Sequence, residues 1–258
     1  MNPPVSVRGA GRALVVIGAA LGAGRWLSEH VLSGAEWARV YLIDSDRSRT
    51  ALRELDWSFE APLTFGRSVE APGSVHFELD EGEAGAIDAP QMAIGSGDTV
   101  VCIAVPPVAF AAVAEAVFTL VPRPSSVLVS VASMERSLSE LRRLNVSMAT
   151  VTGVHALNDS AAPSALGQTV YLVPGTDAVD PWIARLVESV GGVPKVGTAN
   201  EHDRVMSVIQ ALTHRVLIAF ADAVTASGLS LEDELWLART PLFEALLGLS
   251  ARVLVGAR

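Results

Sequence analysis

Small residues crowd one short stretch of the chain. Ile17-Gly18-Ala19-Ala20-Leu21-Gly22-Ala23-Gly24 follows an apolar, β-branched run, and an acid, Asp44, ends the next such run. Glycines at a strand-to-helix turn let the backbone approach a pyrophosphate at the helix N-terminus, and an acid closing the second strand accepts from ribose hydroxyls. The stretch therefore suits a dinucleotide, with Gly18, Gly22, Gly24, Asp44 and Val105 as its contacts. Two registers are open. With Gly24 as the third glycine of G-x-G-x-x-G, the first two places fall on Ala19 and Leu21, and a leucine stands where closest approach is needed. Gly18-x-x-x-Gly22-x-Gly24 instead has the spacing of short-chain dehydrogenases. Their Tyr-x-x-x-Lys is missing, however, since the single lysine, Lys195, follows Pro194. The competing structural explanation is that the small residues only seat a helix on a strand. Asp44 has no basic residue directly after it, which favours NAD. Arg47 and Arg49 keep NADP open, and a turn that binds no dinucleotide is the third alternative.

The elements that must hold these residues can be read from periodicity. Apolar β-branched runs (ALVVIG, ARVYLID, TVVCIAV, SSVLVSVAS, TVTGVH, QTVYLVPG) alternate with helical stretches through the first two-thirds of the chain. Strands without polar alternation belong to a parallel sheet covered on both faces. The expected fold class is α/β: an N-terminal Rossmann-type doubly wound sheet over 1–180 and a C-terminal all-helical dimerisation domain over 181–258. Residues 66–97, rich in Gly, Asp, Glu and Pro, read as an acidic surface loop with one strand near Val75–Leu79. Strand signals vanish after 181. Thr198 and Glu201 have the T-x-x-E spacing of a capping box, and Glu201 and Asp203 put negative charge in the first turn of the next helix. The last helices carry more apolar length than a small bundle can bury, which points to a homodimer.

Composition narrows the function classes. Half of the 258 residues are hydrophobic, enough for a sizeable core, and the formal net charge is −9. With so little basic surface, nucleic acid is not an expected partner. Cys102 is the only cysteine, so no disulfide forms within the chain, and its place in VVCIAV reads as a buried strand thiol in a reducing cytoplasm. No metal site is expected. Two apolar stretches imitate membrane signals. Residues 13–24 follow arginines but are not succeeded by a clear cleavage site, and 100–122 is broken by Pro106-Pro107 and carries Glu115. Both read as buried strand, turn and helix, with no membrane association.

Four further segments resemble the prephenate/arogenate dehydrogenase family in order and spacing: SSVLVSVASME (125–135), TGVHALNDSAAPSALGQTVYLVPG (152–175), EHDRVMSVIQALTHRVLIAFADAV (201–224) and PLFEALLGLSARVLVG (241–256). The third is the most specific. With GRWLSEHV and DTVVCIAVPP they cover essentially the whole chain. The resemblance implies oxidative decarboxylation: hydride leaves C4 of a cyclohexadienol for NAD(P), a histidine takes the hydroxyl proton, and loss of the carboxylate aromatises the ring. By that match His155 is the base, and Ser133 hydrogen-bonds that histidine or the substrate hydroxyl. His214 and Arg252 face the substrate, the arginine holding a carboxylate. A neutral imidazole is a sensible base for such a hydroxyl. On one straight helix His202 and His214 would be about 18 Å apart along the axis and about 120° apart around it, so they cannot share one small ring. His214 goes to the substrate. His202, also counted with the substrate-binding set, lies near the helix start, where capping or a cofactor-side contact competes. His30 and His76 fall in no motif.

The chain departs from the family pattern at several places. Ala156 and Leu157 replace the proline and methionine after the histidine, Glu135 replaces a lysine, and Ser130 replaces a common acid. Three readings follow: a dehydrogenase for prephenate, arogenate or an amino-substituted analogue used in specialised metabolism; a cofactor-free, non-redox enzyme acting on a related cyclohexadienyl or carboxylate-bearing ring; or a catalytically inert binding protein. The first is preferred, because Asp44 and the polar residues His155, Ser133 and Arg252 occur together.

Overall fold

The computed structural model describes residues 12–71, 74–80, 98–131, 133–144, 149–158 and 162–256. The first apolar runs form β1 (Ala13–Ile17), β2 (Arg39–Ser45), β3 (Leu63–Ala71) and β4 (Ser74–Leu79), and later ones form β5 (Thr99–Ile103), β6 (Ser126–Val129) and β7 (Thr150–Ala156). Two more strands, β8 (Thr169–Pro174) and β9 (Val193–Val196), complete one nine-stranded sheet in the order β4-β3-β2-β1-β5-β6-β7-β8-β9. Its six central strands, β3-β2-β1-β5-β6-β7, run parallel, while β4 pairs antiparallel to β3 and β8 antiparallel to β7. This order, reversing direction between β1 and β5, is that of a Rossmann-type doubly wound sheet.

Both faces of the sheet are covered, as the missing polar alternation requires. Val15 and Ile17 belong to one buried layer with Phe110 and Val117 of α3 (Phe110–Leu120) and Met134, Leu138 and Leu141 of α4 (Met134–Arg143). Leu14 and Val16 belong to the other, with Trp26 and Leu27 of α1 (Gly22–His30) and Trp182, Ile183 and Leu186 of α5 (Pro181–Ser189). Each such large side chain contributes about 1.5–3 kcal/mol on burial, against the entropy of ordering the chain. A short helix, α2 (Arg49–Glu54), follows β2. The apolar stretches that imitate membrane signals resolve into β1 with its turn and into β5, turn and α3. Cys102 on β5 is fully buried, which pushes its thiol up to about 12.

Local chemistry explains the helix starts. Asp180 accepts the Trp182 N–H at 3.3 Å and Pro181 occupies the first turn of α5, where its missing N–H costs nothing. The capping box also forms: the Thr198 N–H and hydroxyl donate to Glu201 Oε2 at 2.9 and 3.0 Å, and the Glu201 N–H donates back to Thr198 Oγ1 at 3.2 Å, opening α6 (Ala199–Met206).

Three expectations change. Residues 66–71 are not loop: they continue β3, which is registered against both β2 and β4. The rest of that acidic stretch, 81–97, lies outside the described residues. Strands do not end at 181, because Val193–Val196 pairs with β8; the short run VPKV is too brief and too broken by proline to show a strand period. The chain divides into compact units at His202/Asp203 rather than at 180/181, since α5 and β9 pack with the sheet.

The second unit is helical. A π-helical turn at Ser207–Leu212 leads into α7 (Thr213–Ala226), another at Leu231–Leu235 is capped by Ser230, and α8 (Pro241–Gly256) closes the chain. The π turn lies between His202 and His214, so the straight-helix separation does not apply to them. α7 and α8 pair through Phe220 and Phe243, with ring centroids 5.6 Å apart, and Ser250 donates to the Leu217 carbonyl at 2.9 Å. The helical run Ala199–Ala226 is long and apolar enough to cross a membrane by length and composition, and little of it is buried.

Candidate active site

The glycine turn sits at the carboxyl end of β1. The Gly18 N–H donates to the Ile43 carbonyl at 2.8 Å and the Ala104 N–H donates to the Ile17 carbonyl at 2.8 Å, which draws the turn between β2 and β5. Gly18 has φ +84°, and a Cβ there would lie 2.1 Å from the Ala104 oxygen. A Cβ on Gly24 would lie 1.9 Å from the Gly18 oxygen, so α1 presses directly on the turn. Gly22, with φ +55° at the first position of α1, has nothing within 4 Å of where its Cβ would be. Tight turn, open approach and close helix contact thus fall on Gly18, Gly22 and Gly24, the wider of the two registers. Leu21, the N-cap residue of α1, is 63 % exposed in this arrangement. Val105 lies beside Gly18, its Cγ1 3.3 Å from where a Cβ would stand.

Asp44 faces the same turn. Its Oδ2 accepts the Ala20 N–H at 2.8 Å and its Oδ1 accepts the Ser45 N–H at 2.7 Å. Opposite it in register on β3 is Arg67, whose guanidinium donates to Glu78 at 2.8 Å and to Asp46 at 3.0 Å; hydrogen bonding to Glu78, then to Asp46, raises its pKa. That cation is committed to acids. Arg47 is exposed.

His155 stands near the carboxyl end of β7, half-buried, and its Nδ1 is 2.8 Å from Nε2 of His202, which is fully buried in the first turn of α6. The ring centroids are 5.1 Å apart at 59°. His202 thus adjoins the candidate base, a pairing that the spacing of the histidines did not indicate. Ser133 follows β6 immediately before α4, where its carbonyl accepts from the Ser137 hydroxyl at 2.9 Å. His214 and Arg252 lie in the helical unit, on α7 and α8, and both are exposed.

Two residues at this site were given no role by the sequence. Tyr171 of β8 is the register partner of His155, and its ring meets His202 edge-on at 5.1 Å and 81°. Lys195 of β9 is in turn the register partner of Tyr171 and places its ammonium 5.2 Å from that ring. Burial, and then the nearby charge of Glu201, raise the Tyr171 pKa, so its phenol stays neutral at ordinary pH. Gly197 makes room for it, since a Cβ there would lie 2.2 Å from the Tyr171 hydroxyl. The available signal was the run QTVYLVPG following TVTGVH; only the hairpin register puts tyrosine beside histidine.

No family model matches the chain, and no curated protein matches it. Solved structures do. The prephenate dehydrogenase of Aquifex aeolicus, in complex with hydroxyphenyl propionate and NAD+, superposes with a TM-score of 0.63 at 17% identity, over 94% of this chain and 79% of that one. The fold is that of prephenate dehydrogenase structures. A second Aquifex aeolicus prephenate dehydrogenase structure gives 0.57 at 15% identity, over 94% and 86% of the two chains. Beyond prephenate dehydrogenases, a reductive aminase from Aspergillus terreus in complex with NADPH and ethyl levulinate gives 0.52 at 17% identity, over 94% and 75%. At these identities the prephenate dehydrogenase likeness is one of fold, and the chemistry rests on the residues described above.

Proposed function

We propose that this chain is a nicotinamide-dependent dehydrogenase that oxidatively decarboxylates prephenate, arogenate or an amino-substituted prephenate analogue. One observation carries the reading. Gly18, Asp44, Val105, Ser133 and His155 all stand at or just beyond the carboxyl ends of parallel strands β1, β2, β5, β6 and β7, the edge at which doubly wound sheets bind ligands. The residues suit the cofactor, because Gly22 opens the N-terminus of α1, no acid occupies its first turn, and Asp44 stands next to last in β2. Asp44 and the engagement of Arg67 by Glu78 and Asp46 favour NAD, while the exposed Arg47 keeps a 2′-phosphorylated cofactor as the alternative.

A nicotinamide held at this turn would supply the acceptor for the hydride of ring C4. His155 takes the proton of the C4 hydroxyl as that hydride leaves, and carbon dioxide departs with aromatisation. Ser133 hydrogen-bonds the hydroxyl or the histidine. His214 and Arg252 are assigned to the substrate, Arg252 to a carboxylate that its planar fork can hold through two hydrogen bonds.

A second reading, a cofactor-free and non-redox reaction on a related ring, is favoured by one feature. Leu21, the N-cap residue of α1, is a largely exposed leucine at the helix end where a pyrophosphate would sit. Calorimetric titration with NAD and NADP separately divides the two. Micromolar binding, tighter for NAD, followed by reduced cofactor at 340 nm with one of the ring substrates, is the expected result; no binding of either dinucleotide would move the assignment to the cofactor-free reaction.

The helical unit is also the proposed homodimer surface. Val208, Ile209, Leu212, Val216, Leu237 and Leu242 are all exposed there, apolar surface that a second copy of the chain would cover. Light scattering should give twice the chain mass of 27.0 kDa, and a monomer mass at micromolar concentration would refute the assembly.

A further inference from the structure

We propose that His202 is a positioning residue that accepts the Nδ1–H of His155 and so holds His155 in the tautomer whose Nε2 lone pair receives the substrate proton. The inference rests on the dehydrogenase reading and adds to it the residue that makes the base competent. A neutral imidazole has one N–H and one lone pair, so the 2.8 Å contact between His155 Nδ1 and His202 Nε2 contains one proton, donated by one ring to the other. If His202 donated, the proton of neutral His155 would sit on Nε2 and the ring could not act as a base there. If His155 donates, Nε2 carries the lone pair, and His202 keeps its own proton on Nδ1.

The surroundings allot the roles. His155 is half-buried on the ligand-binding edge of the sheet, whereas His202 is fully buried behind it, so His155 is the ring that can meet a substrate. The His202 ring is set from two sides. Its backbone N–H donates to the Thr198 carbonyl at 2.9 Å in the capped first turn of α6, and the edge-on Tyr171 ring restricts its rotation. Tyr171 is itself held between the space left by Gly197 and the Lys195 ammonium. As the substrate O–H bond breaks, its proton forms the new N–H at Nε2, the Nδ1 proton stays on His155, and the N–H···N bond to His202 becomes charge-assisted and shorter. His202 therefore stabilises the imidazolium without receiving a proton, the service a buried acceptor performs for any histidine base.

The test is the ring-nitrogen spectrum of uniformly 15N-labelled full-length protein at a pH where the histidines are neutral, with the His155 signals assigned by their loss in His155→Asn. A pyrrole-type Nδ1 and a pyridine-type Nε2 on His155 are expected, and the reverse pattern would overturn the proposal whatever the enzyme's substrate proves to be. In turnover, His202→Gln, whose side-chain oxygen can still accept from Nδ1–H, should retain activity within about tenfold. His202→Leu should lose at least about 100-fold in kcat with KM little changed, and its His155 signals should shift towards the Nε2–H tautomer. Equal losses in the two variants would refute the orienting role. Should the leucine variant fail to fold, the wild-type spectrum still decides. A failed dinucleotide titration would sink the dehydrogenase reading and leave the tautomer measurement standing.

Discussion

His155→Asn should lower kcat by about 10²–10⁴-fold, the range over which a positioned general base contributes. Asparagine places an amide near the position of Nδ1, so the contact with His202 can be kept in part while the nitrogen that takes the proton is removed. Because His155 lies on β7 and the glycine turn on β1, with β5 and β6 between them in the sheet, dinucleotide affinity should be nearly unchanged. The measurement is reduced cofactor at 340 nm under saturating substrate, paired with calorimetry of the same protein. Activity within tenfold of wild type would remove His155 from the base role.

Gly18→Ala should be strongly damaging at the turn. The new Cβ would meet the Ala104 carbonyl oxygen at 2.1 Å, backbone that cannot swing aside as a side chain would, and the positive φ adds its own strain. Left-handed strain of about 1–2 kcal/mol and overpacking of about 1–3 kcal/mol together suggest roughly 2–5 kcal/mol. For a chain of this size that corresponds to a fall in Tm on the order of 10 °C, with loss of dinucleotide binding as the turn moves. Gly22→Ala is the control. Its φ is also positive, but no atom lies within 4 Å of the added Cβ, so only the strain of about 1 kcal/mol applies and Tm should drop by about 3 °C. Scanning calorimetry of the two variants separates the cases, and similar shifts would contradict the packing described for Gly18.

The contrast between these glycines shows where reading the residues in order reached its limit. Three glycines and an acid at plausible spacing indicated a nucleotide turn, yet two registers stayed open, one with Ala19 and Leu21 in glycine places and one with the spacing of a family whose Tyr-x-x-x-Lys is missing. They differ in which residue touches Ala104 and which faces open space, and those neighbours come from β5, some eighty positions further along the chain. The place of Leu21 at the N-cap of α1, largely exposed, is likewise given by the folded turn and not by the order of residues.

What the sequence determined by itself is local or periodic. Runs such as ALVVI and TVVCI have no polar face, so they required a parallel sheet covered on both sides, and the observed sheet with its two buried layers meets that requirement. Thr198 and Glu201 specified the start of α6 three residues apart, because a cap needs only its own turn. The pairing of His155 with His202, 47 residues apart, was of another kind. Helical spacing could compare His202 only with His214, its neighbour in the same stretch, and so directed attention away from the strand. The tertiary structure decided the matter through β8 and β9: by extending the sheet beyond β7 they carry the chain to the point where α6 begins, and set Tyr171 and the buried His202 ring against His155. A strand of four residues containing a proline has too little pattern to announce itself, yet its place at the sheet edge is what assembles the candidate base.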